Sequence, residues 1–154
     1  MAYWLMKSEP DVYSISDLKR DGRTEWEGVR NYQARNFMTK DMKPGDTVLF
    51  YHSNATPPGI AGIGVISRVA QPDASSWNPK SPYYDPKSTP ENPRWFCVQV
   101  EYKAHFTNVI SLDQLRQEPR LQTMEVLKKG QRLSIMPVRD EEVKVLECLT
   151  KLTL

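Results

Sequence analysis

Phe96-Cys97-Val98-Gln99-Val100-Glu101-Tyr102-Lys103 is the stretch that decides the class of fold. Bulky apolar residues at 96, 98, 100 and 102 alternate with 97, 99, 101 and 103. That period of two belongs to a half-buried strand, and it leaves His105 in the exposed phase. Upstream, Ile60 to Val69 is rich in β-branched residues and reads as a second strand. Gly62 and Gly64 inside it mark a bulge or a close backbone approach. Val48-Leu49-Phe50-Tyr51 and Tyr3-Trp4-Leu5-Met6 are shorter apolar runs, the latter stopped by Lys7-Ser8-Glu9-Pro10. Arg132 to Val138 is a further strand, blocked by Pro137.

The helices that separate these strands are short. Ser14 is an N-cap with Asp17 at the third helical position, the pattern of a capping box, and Asp21-Gly22 ends that helix. Asn31 caps a second helix over about 32–38. Ser111 and Gln114 form another capping box. Pro119 to Lys129 reads as helical up to Gly130. Asp140 caps a last helix with Val143, Leu146 and Leu149 on one face. Several strands, short helices and no regular βαβ alternation predict an α+β domain, a curled sheet or small barrel with peripheral helices.

At 154 residues, with 39% apolar residues, one domain spanning 1–154 is expected, large enough to fold without a disulfide or a metal. No apolar run reaches the ~20 residues of a membrane span, so no membrane partner is expected. The start lacks a basic segment and a small-residue cleavage site, so no signal or transit peptide is expected either. Two distant cysteines and two histidines offer no zinc spacing; no metal and no cofactor are expected, and the compartment is expected to be the reducing cytoplasm.

Eight of the 12 prolines fall between Pro57 and Pro93. The part from Pro72 to Pro93 is too rich in proline for a helix or central strand. It carries Trp77, Tyr83 and Tyr84 and reaches Trp95, which predicts an ordered loop packed on the domain through Trp77, Tyr83 or Tyr84.

The net charge of +2, from 21 basic and 19 acidic residues, does not by itself demand a polyanion. The charge is uneven, however. Residues 19–43 hold seven basic and four acidic side chains, and residues 120–139 hold five and one. Two basic segments beside a cleft would contact phosphates; solvated helix faces are the plain alternative. Arg35, Lys128 and Lys129 are the candidate phosphate contacts.

No Ser-His-Asp arrangement, GxSxG, P-loop or GxGxxG occurs. Gly62-Ile63-Gly64 is only a two-glycine fragment within a strand. His52 is either a general base or a strand-end histidine bonded to a neighbouring loop. The absence of a nucleophile motif favours the second. Lys7-Ser8-Glu9-Pro10 puts three polar side chains at an opened strand end. Trp26-Glu27-Gly28-Val29-Arg30-Asn31 joins a Trp, a Gly and a helix start, material for one wall of a cleft.

Taken in order, Tyr3 to Pro10, Trp26 to Asn36, Tyr51-His52-Ser53-Asn54, Tyr83-Tyr84-Asp85-Pro86 and Arg132 to Val138 resemble the EVE domain family, in a compact form like the stand-alone bacterial domains. The resemblance runs from residue 2 to about 150. It implies a PUA-like fold, a curled β-barrel with short helices. It also implies a non-catalytic module that reads a modified base, especially a modified cytosine, in DNA or RNA. The pocket it implies consists of Lys7, Ser8, Trp26, Val29, Arg30, Asn31, Tyr51, His52, Ser53, Asp85 and Ser134. Two rivals stand beside it. One is a small ASCH-like hydrolase of modified nucleosides using Lys7 with Glu9 or Asp85. The other is a protein-interaction module built on the loop from 72 to 95.

Overall fold

A computed structural model describes residues 1–154. Strand β1 (Tyr3–Ser8) is followed by α1 (Ile15–Asp21), β2 (Arg23–Glu25) and α2 (Tyr32–Asn36). Helix α2 runs on as a wider π-type turn over Phe37–Asp41. Then come β3 (Thr47–His52), β4 (Gly59–Pro72), β5 (Phe96–Ser111), α3 (Leu112–Gln117), β6 (Ile135–Val138) and α4 (Asp140–Thr150).

The six strands form one mixed sheet in the order β2-β5-β4-β3-β1-β6. Only β1 and β3 run parallel; the other pairs are antiparallel. The class is α+β as expected, but the barrel is not closed. Its would-be seam strands, β2 and β6, are three and four residues long and do not pair with each other. Pro137 cannot donate to a further ladder, which suits β6 to an edge.

Strands β1 and β3 are buried on both faces, which is why both read as dense apolar runs. Trp4, Met6, Val48 and Phe50 join one core cluster with Ile15 and Leu18 of α1, Trp26 and Val29, and Ala34 of α2. Leu5, Leu49 and Tyr51 join the other, beneath Leu115 of α3 and Val143 and Leu146 of α4. Gly62 and Gly64 sit where the β4–β5 register slips. A β-carbon at Gly62 would stand 2.6 Å from the Ala104 carbonyl oxygen and from Ile15 Cγ1, so bulge and close approach coincide there.

Ser14 and Ser111 make the capping boxes that their sequences predict. Three expectations change. Pro119 to Lys129 is two single 3₁₀ turns, Pro119–Leu121 and Glu125–Leu127, because the chain must bend there to bury Leu121, Met124 and Val126. The cap of α4 is Arg139, not Asp140, with Glu142 Oε1 accepting from the Arg139 amide at 2.9 Å. Leu149 is exposed, because α4 buries Val143, Val145 and Leu146 instead.

Candidate functional site

Where β1 ends, an open cleft of about 650 Å³ lies between the loop Glu9–Tyr13, the segment Thr24–Arg30, Tyr83 and Ser134. Pro10 and the tight turn behind it hold the strand end open, with the Val12 and Tyr13 amides both donating to the Glu9 carbonyl. Trp26 is packed edge-on against Phe50, ring centroids 5.4 Å apart, so it forms a fixed wall and not a free plate.

Lys7, Ser8, Trp26, Val29, Arg30 and Ser134 of the expected pocket line this cleft. The other five lie elsewhere. Asn31 caps α2, its side chain accepting from the Ala34 amide at 3.0 Å. Tyr51 is buried in the second core cluster, its ring centre 5.9 Å from Lys7 Nζ. His52 Nε2 accepts from the Ile15 amide at 3.1 Å, the strand-end role weighed in the sequence. Burial pulls its pKa below the usual imidazole range. The Ser53 amide donates to the Ser8 carbonyl. Asp85 accepts from Trp95 Nε1 at 2.7 Å and from the Lys87 amide at 3.0 Å.

The expected phosphate contacts also divide. Arg35 is spent on Asn36 and the Arg94 carbonyl and lies over the Tyr32 ring. Lys128 pairs with Glu125 at 2.6 Å. Lys129 is exposed and forms no ion pair.

Within the cleft the polar groups differ in what they have left to offer. Ser8 Oγ donates to the Tyr13 carbonyl at 2.5 Å, and Tyr13 OH donates to Asp21. Glu25 is bridged twice by Arg68, both contacts 2.5 Å, which holds its carboxyl below the usual range. Glu9 Oε1 accepts from Asn54. Arg30 has five N–H groups and five hydrogen bonds. Nε and Nη2 donate to the Tyr83 carbonyl, Nη1 to Asp73 and the Val29 carbonyl, and Nη2 also to Ser75. Its donors are saturated, and its charge is met by the fully buried Asp73 at 3.0 Å.

Five side chains that line the cleft keep a polar group without a hydrogen-bond partner in the chain: Lys7, Trp26 through its indole N–H, Glu27, Tyr83 and Ser134. Burial lowers the Lys7 pKa. Burial first, then Asp73 and Glu25, raises the Glu27 carboxyl. One cation, one acid, two hydroxyls and one indole N–H present both donors and acceptors. Glu9 and Glu27, neither of them ion-paired, oppose a phosphate inside the cleft, whereas an uncharged heteroaromatic with donors and acceptors on its edge suits it. Glu27 and Tyr83 were not among the expected pocket residues. Both stand inside stretches that carry the family resemblance, Glu27 next to Trp26 and Tyr83 two positions before Asp85. No group of three or more His, Cys, Asp or Glu side chains is arranged to hold a metal. No helix is long and apolar enough to cross a membrane.

Comparison with known proteins agrees on one family. The family model described as EVE domain matches residues 2–149. Human thymocyte nuclear protein 1 is 41% identical over 160 residues, covering 92% of this chain and 70% of that one. A crystal structure of protein PSPTO5229 from Pseudomonas syringae is 48% identical with a TM-score of 0.93, covering 97% and 99% of the two chains. A crystal structure of the human protein in complex with DNA containing 5-methylcytosine is 39% identical with a TM-score of 0.90, over 100% of each chain. An ASCH protein from Zymomonas mobilis, 10% identical at a TM-score of 0.55, shares the fold alone.

Proposed function

The chain belongs to the EVE domain family, and from that premise we propose that it is a non-catalytic DNA reader that takes a modified cytosine into the cleft at the end of β1. The observation that carries the reading is the complex of the human relative with 5-methylcytosine DNA, from a domain alike over its whole length. Membership of the EVE family supports reading the open sheet as PUA-like.

The mechanism follows from the unengaged groups. Extruding a base from a duplex costs a few kcal/mol. Lys7 donates to the carbonyl or ring nitrogen of the base, and Glu27 accepts from its exocyclic amine. These bonds replace ones the base loses on leaving the stack. The added methyl packs on Val29 and Trp26, where one such group contributes about 1–3 kcal/mol of discrimination. The carboxylates in the lining keep the phosphates outside, on the surrounding surface.

Fluorescence anisotropy with duplexes of one sequence, carrying cytosine or 5-methylcytosine, tests this. The methylated duplex is expected to bind more tightly by about fivefold or more, and Lys7→Met is expected to weaken it. Equal affinity for the two duplexes refutes the reading. A matching RNA in the same titration decides between DNA and RNA. Turnover of an N-acylated nucleoside by the protein would bring back the hydrolase.

A further inference from the structure

Tyr83 is the one side chain of the long loop between β4 and β5 that reaches the cleft lining. Three features fix it there. Gly28 has φ +85°, and a β-carbon on it would stand 2.8 Å from Tyr83 Cε1 and Cζ, so the phenol lies against bare backbone. The Tyr83 carbonyl is forked by Arg30 Nε at 3.0 Å and Nη2 at 2.7 Å. Asp73, at the start of the loop, is fully buried and accepts from both the Gly28 amide and Arg30 Nη1 at 3.0 Å. Glycine, guanidinium and carboxylate thus close a ring that pins the loop to the Trp26–Arg30 wall. Behind it the Arg30 guanidinium carbon lies 5.5 Å from the Trp95 ring centre and 5.9 Å from that of Tyr83.

We propose that Tyr83 is the specificity-determining wall of the cleft, against which the accepted base packs, and that Arg30 is its positioning residue and does not touch the base. The proposal rests on the base-reading function above. The phenol contributes a flat face and a hydroxyl with no partner in the chain. Arg30 cannot contribute directly, because each of its five donors is already committed. A base entering the cleft meets a ring whose position is set by Arg30 and Asp73, and that position decides which substituent fits beside it.

The experiment is a double-mutant cycle read as the ratio of affinities for methylated and unmethylated duplex. Thermal melting of every variant is measured alongside. Tyr83→Ala is expected to cut affinity for the methylated duplex by about fivefold or more, the loss of one stacking face, and to bring the ratio towards one. Tyr83→Phe is expected to keep the stacking and lose only the contribution of the hydroxyl. Arg30→Lys retains the charge beside Asp73 but cannot fork the carbonyl, and is expected to reproduce the fall in ratio. In the Tyr83→Ala background, Arg30→Lys is expected to change the ratio no further, since Arg30 acts through Tyr83. Additive effects would mean that Arg30 contacts the base, and would overturn its positioning role. A folded Tyr83→Ala that keeps the wild-type ratio overturns the proposal while leaving the reading of function intact. Wild-type protein with a ratio of one overturns both.

Discussion

Asp73→Asn changes one atom and almost no volume, so its effect isolates the charge that holds the loop. Asp73 is fully buried. Its Oδ2 accepts from Gly28 N and Arg30 Nη1, and its Oδ1 from Ser75 N and Ser75 Oγ. An amide has one oxygen, so its –NH₂ must face one of these donor pairs. Turned towards Ser75, the –NH₂ finds an acceptor if the hydroxyl rotates, and only the Ser75 amide is orphaned. Turned towards Gly28, it confronts a backbone N–H and a guanidinium, neither of which can accept. The first arrangement wins, at about 1–3 kcal/mol for one unsatisfied buried amide. In either arrangement Arg30 loses its counter-charge. Breaking a buried pair costs about 3–5 kcal/mol. The Arg30 side chain is 22% exposed and keeps its carbonyl acceptors, which reduces that loss. The expected sum is about 3 kcal/mol. For a domain of this size that lowers Tm by about 6–12 °C. Urea unfolding followed by tryptophan fluorescence gives the free energy, with an unchanged m-value showing that the denatured state is the same. A loss below about 1 kcal/mol would refute the clamp as a source of stability.

His52→Gln keeps an acceptor for the Ile15 amide and removes the titration. With a folded pKa below the unfolded value of 6.5, the unfolded state binds its proton first. His52 therefore contributes stability above pH 6.5 that is lost as pH falls towards and through the folded value; stability against pH over that window is expected to be flatter in His52→Gln. Gly62→Ala drives a β-carbon into a backbone carbonyl and into Ile15, and is expected to cost about 1–3 kcal/mol by chemical denaturation. Lys129→Ala is expected to weaken methylated and unmethylated duplexes alike and to reduce the slope of log K against log salt by about 1. An unchanged slope would remove Lys129 from the DNA interface.

The parts of the fold that were legible in the sequence are those set by neighbours along the chain. The capping boxes at Ser14 and Ser111 and the cap at Asn31 are closed by residues three positions away. The alternation holds over 98–103 and needs only a sheet with one wetter face; at its start it fails, because Cys97 is buried and Phe96 only half-buried. Strand β2 escaped because three residues carry no period. The open edge of the sheet escaped because closure depends on how β2 and β6 lie relative to each other, which neither segment encodes. The cleft was half legible. Lys7, Ser8, Trp26, Val29, Arg30 and Ser134 converge there, but their remaining hydrogen-bonding capacity was hidden. That Arg30 has nothing left to donate depends on Asp73, 43 positions away, and on Tyr83, 53 away. Asp85 looked like a pocket carboxylate until Trp95 claimed it. The proline-rich loop was expected to pack through an aromatic residue, and Tyr83 does so, against a glycine whose bare backbone only the fold reveals.

The position of β1 has a consequence for how the protein is made. Tyr3 to Met6 lie between β3 and β6, pairing with Thr47 to Phe50 on one side and with Val138 to Ile135 on the other. Contacts of such sequence separation form slowly, because loop closure precedes any gain from pairing. A nascent chain emerging from the ribosome holds β1 with one edge bare until residues 135–138 have cleared the exit tunnel. Ser134, which closes the cleft beside Lys7 and Ser8, arrives with that last strand. The cleft is therefore completed only after Ser134 has emerged, and an interrupted translation product ending before it carries the Trp26–Arg30 wall without the Ser134 side of the cleft.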